Sequence, residues 1–191
     1  LICLNTDDED IIKISKQYSL NVLKRPKSLA KDITSMENVI RHTLLHYIEL
    51  KIKFKAIILL QPTSPIREIS DFRNLLKLYN REKLDLVVSV KLSKENPYYL
   101  LYEKNSDGFI EKSKPLDLAR SQCAPFVYCL NGAFFMYNVK SLQEKPIKEF
   151  KKIKKFEMPF ERSIDIDDQY DWELTEFFMR KLEDKKNKNN I

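Results

Sequence analysis

Two kinds of segment alternate along this chain, and that alternation constrains its fold more than any other feature. Short apolar runs at 1–4, 21–23, 56–60, 86–90 and 133–137 read as strands. Between them, apolar residues recur at helical spacing. Asn5 to Asp8 supply capping and acidic residues for a helix running through Ile11, Ile12, Ile14 and Tyr18. Val39, Ile40, Leu44, Tyr47 and Ile48 mark a second helix, and Phe72, Leu75, Leu76 and Tyr79 a third. Residues 172–182 predict a closing amphipathic helix, with 156–158 as a further strand. Such alternation implies an α/β fold with a largely parallel sheet. The run at 56–60 is continuous, as in a strand buried on both faces, and Pro62 and Pro65 end it in a loop. From Asn96 to Tyr128 the pattern breaks into an excursion from the sheet, with a hairpin turn at 105–108.

Composition narrows the function classes. The 191 residues suit one domain, and 43% hydrophobic with 32% charged residues is the balance of a globular chain. No apolar run approaches membrane-spanning length, so no membrane partner is expected. Cys3, Cys123 and Cys129 form no CxxC pair and read as plain thiols of a reducing cytoplasm. The net charge of +6 gathers largely in lysine-rich stretches at 148–155 and 185–188. A solvated face and a frayed basic tail at 183–191 explain these better than nucleic acid, because the basic residues cluster near the end and lack aromatic interleaving on a recognisable platform. His42 and His46 lie one turn apart but have no third ligand nearby, and read as exposed helix positions.

Three clusters carry chemistry. Gln61-Pro62-Thr63-Ser64-Pro65-Ile66-Arg67 sets an amide, two hydroxyls and a guanidinium just past a strand, where open α/β sheets bind ligands. The bland alternative is a rigid turn in which Thr63 or Ser64 caps the next helix and Arg67 pairs with Glu68 or Asp71. Arg120-Ser121-Gln122, followed by Asn131-Gly132-Ala133, adds a guanidinium and an amide beside a residue that lets a ligand approach the backbone. In Ser163-Ile164-Asp165-Ile166-Asp167-Asp168 an extended backbone would turn Asp165 and Asp167 to one side. One or two carboxylates plus substrate phosphates suit magnesium. Alternatively both are merely exposed, while Asp168 caps the last helix and Asp171 favours its first turn.

In this order the clusters resemble the acylneuraminate cytidylyltransferases: LLQPTSPxR, an RQ followed by NGA, and a late S-x-DID. Asn5-Thr6-Asp7-Asp8-Glu9 is similar to the family's STDxE. Arg25-Pro26, with Leu29 to Ser35, is similar to its RPxxLAxDxTSS. The resemblance spans residues 1 to about 182. It implies a Rossmann-like three-layer nucleotide-diphospho-sugar transferase fold with a mixed, mostly parallel sheet over 1–191 and a dimerisation excursion at 94–127. It implies an enzyme joining CTP to a nonulosonic acid (sialic, legionaminic or pseudaminic acid), giving a CMP-sugar and pyrophosphate for surface glycans, with Mg2+, as a homodimer whose subunits share sites.

By this likeness Arg25, Thr34 and Ser35 meet the nucleotide, Gln61, Arg120, Asn131 and Phe135 meet the sugar, and Asp165 and Asp167 hold the metal. Gln61, Asp165 and Asp167 are the catalytic set, and Arg120 acts across the dimer. The family opens with a strand and an ARGGSK-like phosphate loop that this sequence, with two glycines, does not show. Met36 stands in place of a second serine and Phe135 in place of a tyrosine. Two other readings follow: another sugar nucleotidyltransferase, such as one for ketodeoxyoctonate, or a noncatalytic, dimerising ligand-binding remnant.

Overall fold

The computed structural model describes residues 1–31, 34–115 and 124–189. In chain order its elements are β1 (Cys3–Thr6), α1 (Glu9–Ser15), β2 (Asn21–Lys24), α2 (Met36–Glu49), β3 (Ala56–Leu59) and α3 (Ile69–Arg81). Next come β4 (Leu86–Leu92), β5 (Tyr102–Lys104), β6 (Ile110–Lys112), β7 (Tyr128–Asn138), α4 (Val139–Glu144), β8 (Ile153–Glu157) and α5 (Gln169–Asn189). Every expected helix and strand is present in an α/β fold with a mixed, mostly parallel sheet. Four strands run in the order β3-β7-β4-β8. The chain forms two compact units: Leu1–Leu59 with Leu84–Leu86 and Met136–Ile153, and Leu60–Lys83 with Val87–Phe135 and Lys154–Ile191.

In the first unit β1 and β2 pair in parallel, Cys3 opposite Asn21 and Thr6 opposite Lys24. The carboxylate of Asp8 accepts the amides of Asp10 and Ile11, satisfying orphan donors at the start of α1. The helix ends at Ser15 and a 3-10 turn carries the chain to an exposed Tyr18, which therefore adds nothing to the core. Helix α2 buries Val39, Ile40, Leu44 and Tyr47 but leaves Ile48 at the edge of its apolar stripe exposed. Burial, followed by a hydrogen bond with Cys3, pushes the Tyr47 phenol up to about 12. Arg41 closes the end of α4, donating to the carbonyls of Leu142 and Lys145 while Glu37 holds its other edge. A cation on the last carbonyls of a helix offsets their unpaired partial charge.

The second unit is built on β4, whose first five residues are all buried, and on Phe134 of β7. The Phe134 ring meets Phe72 of α3 and Phe156 of β8 at centroid distances of 6.4 and 6.3 Å. Strands β5 and β6 form the expected antiparallel hairpin, with Asn105 Oδ1 accepting the amides of Asp107 and Phe109 and Gly108 at φ +89°. That positive φ is why glycine stands there.

Four expectations change. Strand β3 is half-buried along its length instead of buried on both faces, and Leu60 is exposed. His42 and His46 are half-buried: His42 lies 3.4 Å from the Asn5 side chain, and the His46 ring packs edge-on against Tyr47. Residues 183–189 are not frayed but continue α5. On α5 itself Trp172, Phe177 and Met179 are exposed and Thr175 is buried, so the helix packs on fewer apolar residues than its pattern suggests.

Candidate active site

The loop after β3 is fixed by backbone geometry before any side chain acts. Gln61 donates its amide to Gly132 O at 3.3 Å, and Ser64 donates its own to Gln61 O at 3.2 Å, a tight turn between two prolines. Arg67 then reaches back, Nε to Ala133 O at 2.8 Å and Nη2 to Gln61 O at 2.5 Å, with its guanidinium over the Phe134 ring. Burial pulls the pKa of Arg67 down from its ordinary value. Glu68, not Thr63 or Ser64, caps α3, and Asp71 accepts the Glu68 amide at 3.0 Å. The partner of Asp71 is Arg162, which grips both its oxygens at 3.0 and 2.9 Å. Arg67 is thus a brace for the loop and Arg162 the ion-pair partner, because a fork of donors fits a carboxylate edge-on.

Arg162 also begins the aspartate segment. Ser163 and Ile164 are buried, Ile166 donates its amide to Thr63 O at 2.8 Å, and Asp165 is drawn in with them. Ser64, only 1% exposed, places its hydroxyl 2.7 Å from Asn131 O and 3.2 Å from Asp165 Oδ1. The side chains of Gln61, Ser64 and Asp165 converge on the space beside the Cα of Gly132. A Cβ built there would lie 2.4 Å from Ser64 Oγ, 2.6 Å from Gln61 Oε1 and 3.5 Å from Asp165 Oδ1. Gly132 has φ +70°, so both its conformation and its surroundings require glycine.

Asn131 is fully buried, donating to Ser163 Oγ at 2.8 Å and accepting the Ala133 amide at 3.3 Å. Its side chain ties the NGA segment to the aspartate segment. Phe135 is half-buried on β7. Asp167 is exposed, its amide donating to Asp171, while Asp168 caps α5 by accepting the Asp171 amide at 2.9 Å. Among the described residues no three His, Cys, Asp or Glu side chains cluster. Arg120 lies outside the described residues.

In the first unit Arg25 is oriented by Asn5, donating from Nε to Asn5 Oδ1 at 3.0 Å and from Nη2 to Asn5 O at 2.6 Å. Asn5 in turn donates to Thr43 Oγ1 at 2.8 Å. Thr34 is half-buried, and Ser35 is the N-cap of α2, its hydroxyl accepting the Asn38 amide. Sequence reasoning placed Ser64 and Gly132 inside its clusters and Asn5 in a family-like motif, but it gave Ser64 and Asn5 no role of their own.

No protein-family model matches the chain. It is 28% identical over 181 residues to Post-translational flagellin modification protein B of Campylobacter coli, across 94% of this chain and 77% of that protein. It is 30% identical to the N-acylneuraminate cytidylyltransferase of Escherichia coli, across 100% of this chain and 43% of that protein. It is also 27% identical to the CMP-N,N'-diacetyllegionaminic acid synthase of Campylobacter jejuni, across 93% of this chain and 76% of that protein. Among solved structures, a CMP:2-keto-3-deoxy-manno-octonic acid synthetase complexed with CTP shares the fold, with a TM-score of 0.58 at 16% identity over 94% of this chain and 80% of that one. A 4-diphosphocytidyl-2C-methyl-D-erythritol synthase from Anaerococcus prevotii does so at 0.54 and 17% identity, over 86% and 74%. In motifs and in relatives alike, the chain is similar to the acylneuraminate cytidylyltransferases.

Proposed function

We propose that this chain carries the cytidylyltransferase chemistry of that family, joining CTP to a nonulosonic acid to give a CMP-sugar and pyrophosphate. The observation that carries the reading is the convergence of Gln61, Ser64 and Asp165 on Gly132, which unites segments the family motifs mark separately. The relatives named as cytidylyltransferase and CMP-legionaminic acid synthase support the same chemistry.

In this reading the anomeric hydroxyl of the sugar attacks the α-phosphorus of CTP. Asp165 and Asp167 would hold magnesium, which would supply positive charge to the departing pyrophosphate. Gln61 presents its side-chain amide to the sugar from a loop that its own backbone and Arg67 hold still. Arg25, pre-oriented on Asn5, offers a fixed cation to the nucleotide. The Ser35 hydroxyl, accepting a hydrogen bond as a helix cap, keeps its own hydrogen to donate. Such preorganised groups contribute by positioning and by matching charge as it develops. Phe135 and Arg120 are assigned to the sugar by family likeness alone.

We further assign the protein to the cytoplasm as a homodimer. Cys3 and Cys129 are free thiols, and among the described residues no helix is long and apolar enough to cross a membrane. On the β5–β6 hairpin, within the 94–127 excursion, Phe109 and Ile110 are 73% and 71% exposed, an apolar tip that a second copy would cover. The test is pyrophosphate release from CTP and magnesium across a panel of nonulosonic acids and ketodeoxyoctonate. Release with one nonulosonic acid supports the assignment, release with ketodeoxyoctonate alone moves it to that sugar, and release with none defeats it.

A further inference from the structure

The Ser64 hydroxyl has no part in the roles above, yet it is the most constrained polar group of the cluster. It is 1% exposed and has a single hydrogen to give, with Asn131 O at 2.7 Å and Asp165 Oδ1 at 3.2 Å as its acceptors. Asn131 is itself tied through its side chain to Ser163 and to the Ala133 amide, so the hydroxyl stands between the buried NGA segment and the Asp165 carboxylate. No hydrogen bond from the described residues reaches Asp165 Oδ2, and Asp167 makes none with its carboxylate.

Resting on the proposed metal role of Asp165, we infer that Ser64 is a positioning residue: it holds Oδ1 of Asp165 inward so that Oδ2 faces the cation. The neighbouring Gly132 is part of the device, since any Cβ there would stand 2.4 Å from the Ser64 oxygen and push the hydroxyl off Asp165. A ligand oxygen presented in one orientation binds its ion without first being ordered, and removing such a support costs about 10- to 100-fold in metal affinity.

The test is Mn2+ titration followed by electron paramagnetic resonance, with and without CTP, on the parent chain, Ser64→Ala, Ser64→Cys and Asp165→Asn, each checked by circular dichroism. Ser64→Ala is expected to weaken Mn2+ binding about 10- to 100-fold and Ser64→Cys, a weaker donor, by less, while metal-free CTP binding stays unchanged. Parent-like Mn2+ affinity in Ser64→Ala, with binding lost in Asp165→Asn, overturns the inference and leaves the metal assignment standing. A parent chain that takes up no Mn2+ under either condition overturns both. Failure of both serine variants to fold makes Ser64 a structural brace and also overturns the inference.

Discussion

Two buried polar nodes of this molecule differ in what they leave unspent. In the first unit the Asp85 carboxylate receives the Ser141 hydroxyl at 2.7 Å, the Lys145 ammonium at 2.9 Å and the amides of Lys151 and Lys152 at 3.1 and 3.0 Å. Burial would raise its pKa, but these donors outweigh burial and hold it well below the usual carboxylate range. Both oxygens accept, Oδ1 from Ser141 and Oδ2 from the other three donors, so the node serves the fold. In the second unit the Gly132 cluster is hydrogen-bonded too, yet among the described residues no hydrogen bond reaches Oδ2 of Asp165, and the Gln61 amide stands over a glycine that allows close approach. A carboxylate whose two oxygens both accept internal donors is tied to the fold, and one with fewer internal donors can serve a ligand.

That contrast can be broken from either side. Asp165→Asn keeps shape and removes charge; pyrophosphate formation should fall about a thousandfold, roughly 4 kcal/mol in barrier, with the fold unchanged by circular dichroism. Asp85→Ala should act the opposite way, lowering stability by about 3 kcal/mol in denaturant titrations, because Lys145 and two amides lose their acceptor in a site only 9% exposed. Its pH signature follows from the depressed pKa. The stabilisation is fully present above the unfolded value near 4 and drains away as pH falls toward the folded one. Parent and Asp85→Ala stabilities should therefore converge below about pH 4, and a constant gap would refute the node's electrostatic role. Gly132→Ala should cost about 2 kcal/mol through its φ of +70° and the crowding of its Cβ. It should also lower turnover, joining the two readouts that the nodes separate. Smallest of all, Arg180→Ala removes an exposed i,i+4 pair with Glu176 and should change the melting free energy by at most about 0.5 kcal/mol.

How far the residues could be read depends on the range of the interaction involved. Asp8 and Asp168 were legible as caps because a cap joins a side chain to amides two or three residues away. The hairpin at Asn105 was legible for the same reason. The bland alternative paired Arg67 with its sequence neighbours Glu68 or Asp71, whereas its acceptors include Ala133 O, 66 positions away. Arg162 gripping Asp71 crosses 91 positions, which no local pattern records. The bond from Asn131 to Ser163 crosses 32 positions and is equally invisible to local pattern.

What the amino-acid order decided alone was the alternation of strand and helix, the end of β3 at a proline-held loop, and the motifs that announce the family. Periodicity, caps and turns act over a few residues, so the linear text contains them whole. Only tertiary structure decided that Gln61, Ser64 and Asp165 meet beside Gly132, that Arg67 is spent on backbone, and that Asp85 rather than Asp165 is saturated. Each of these joins segments tens of residues apart, and whether a polar group is spent or free depends on which partners the fold carries to within about 3 Å of it.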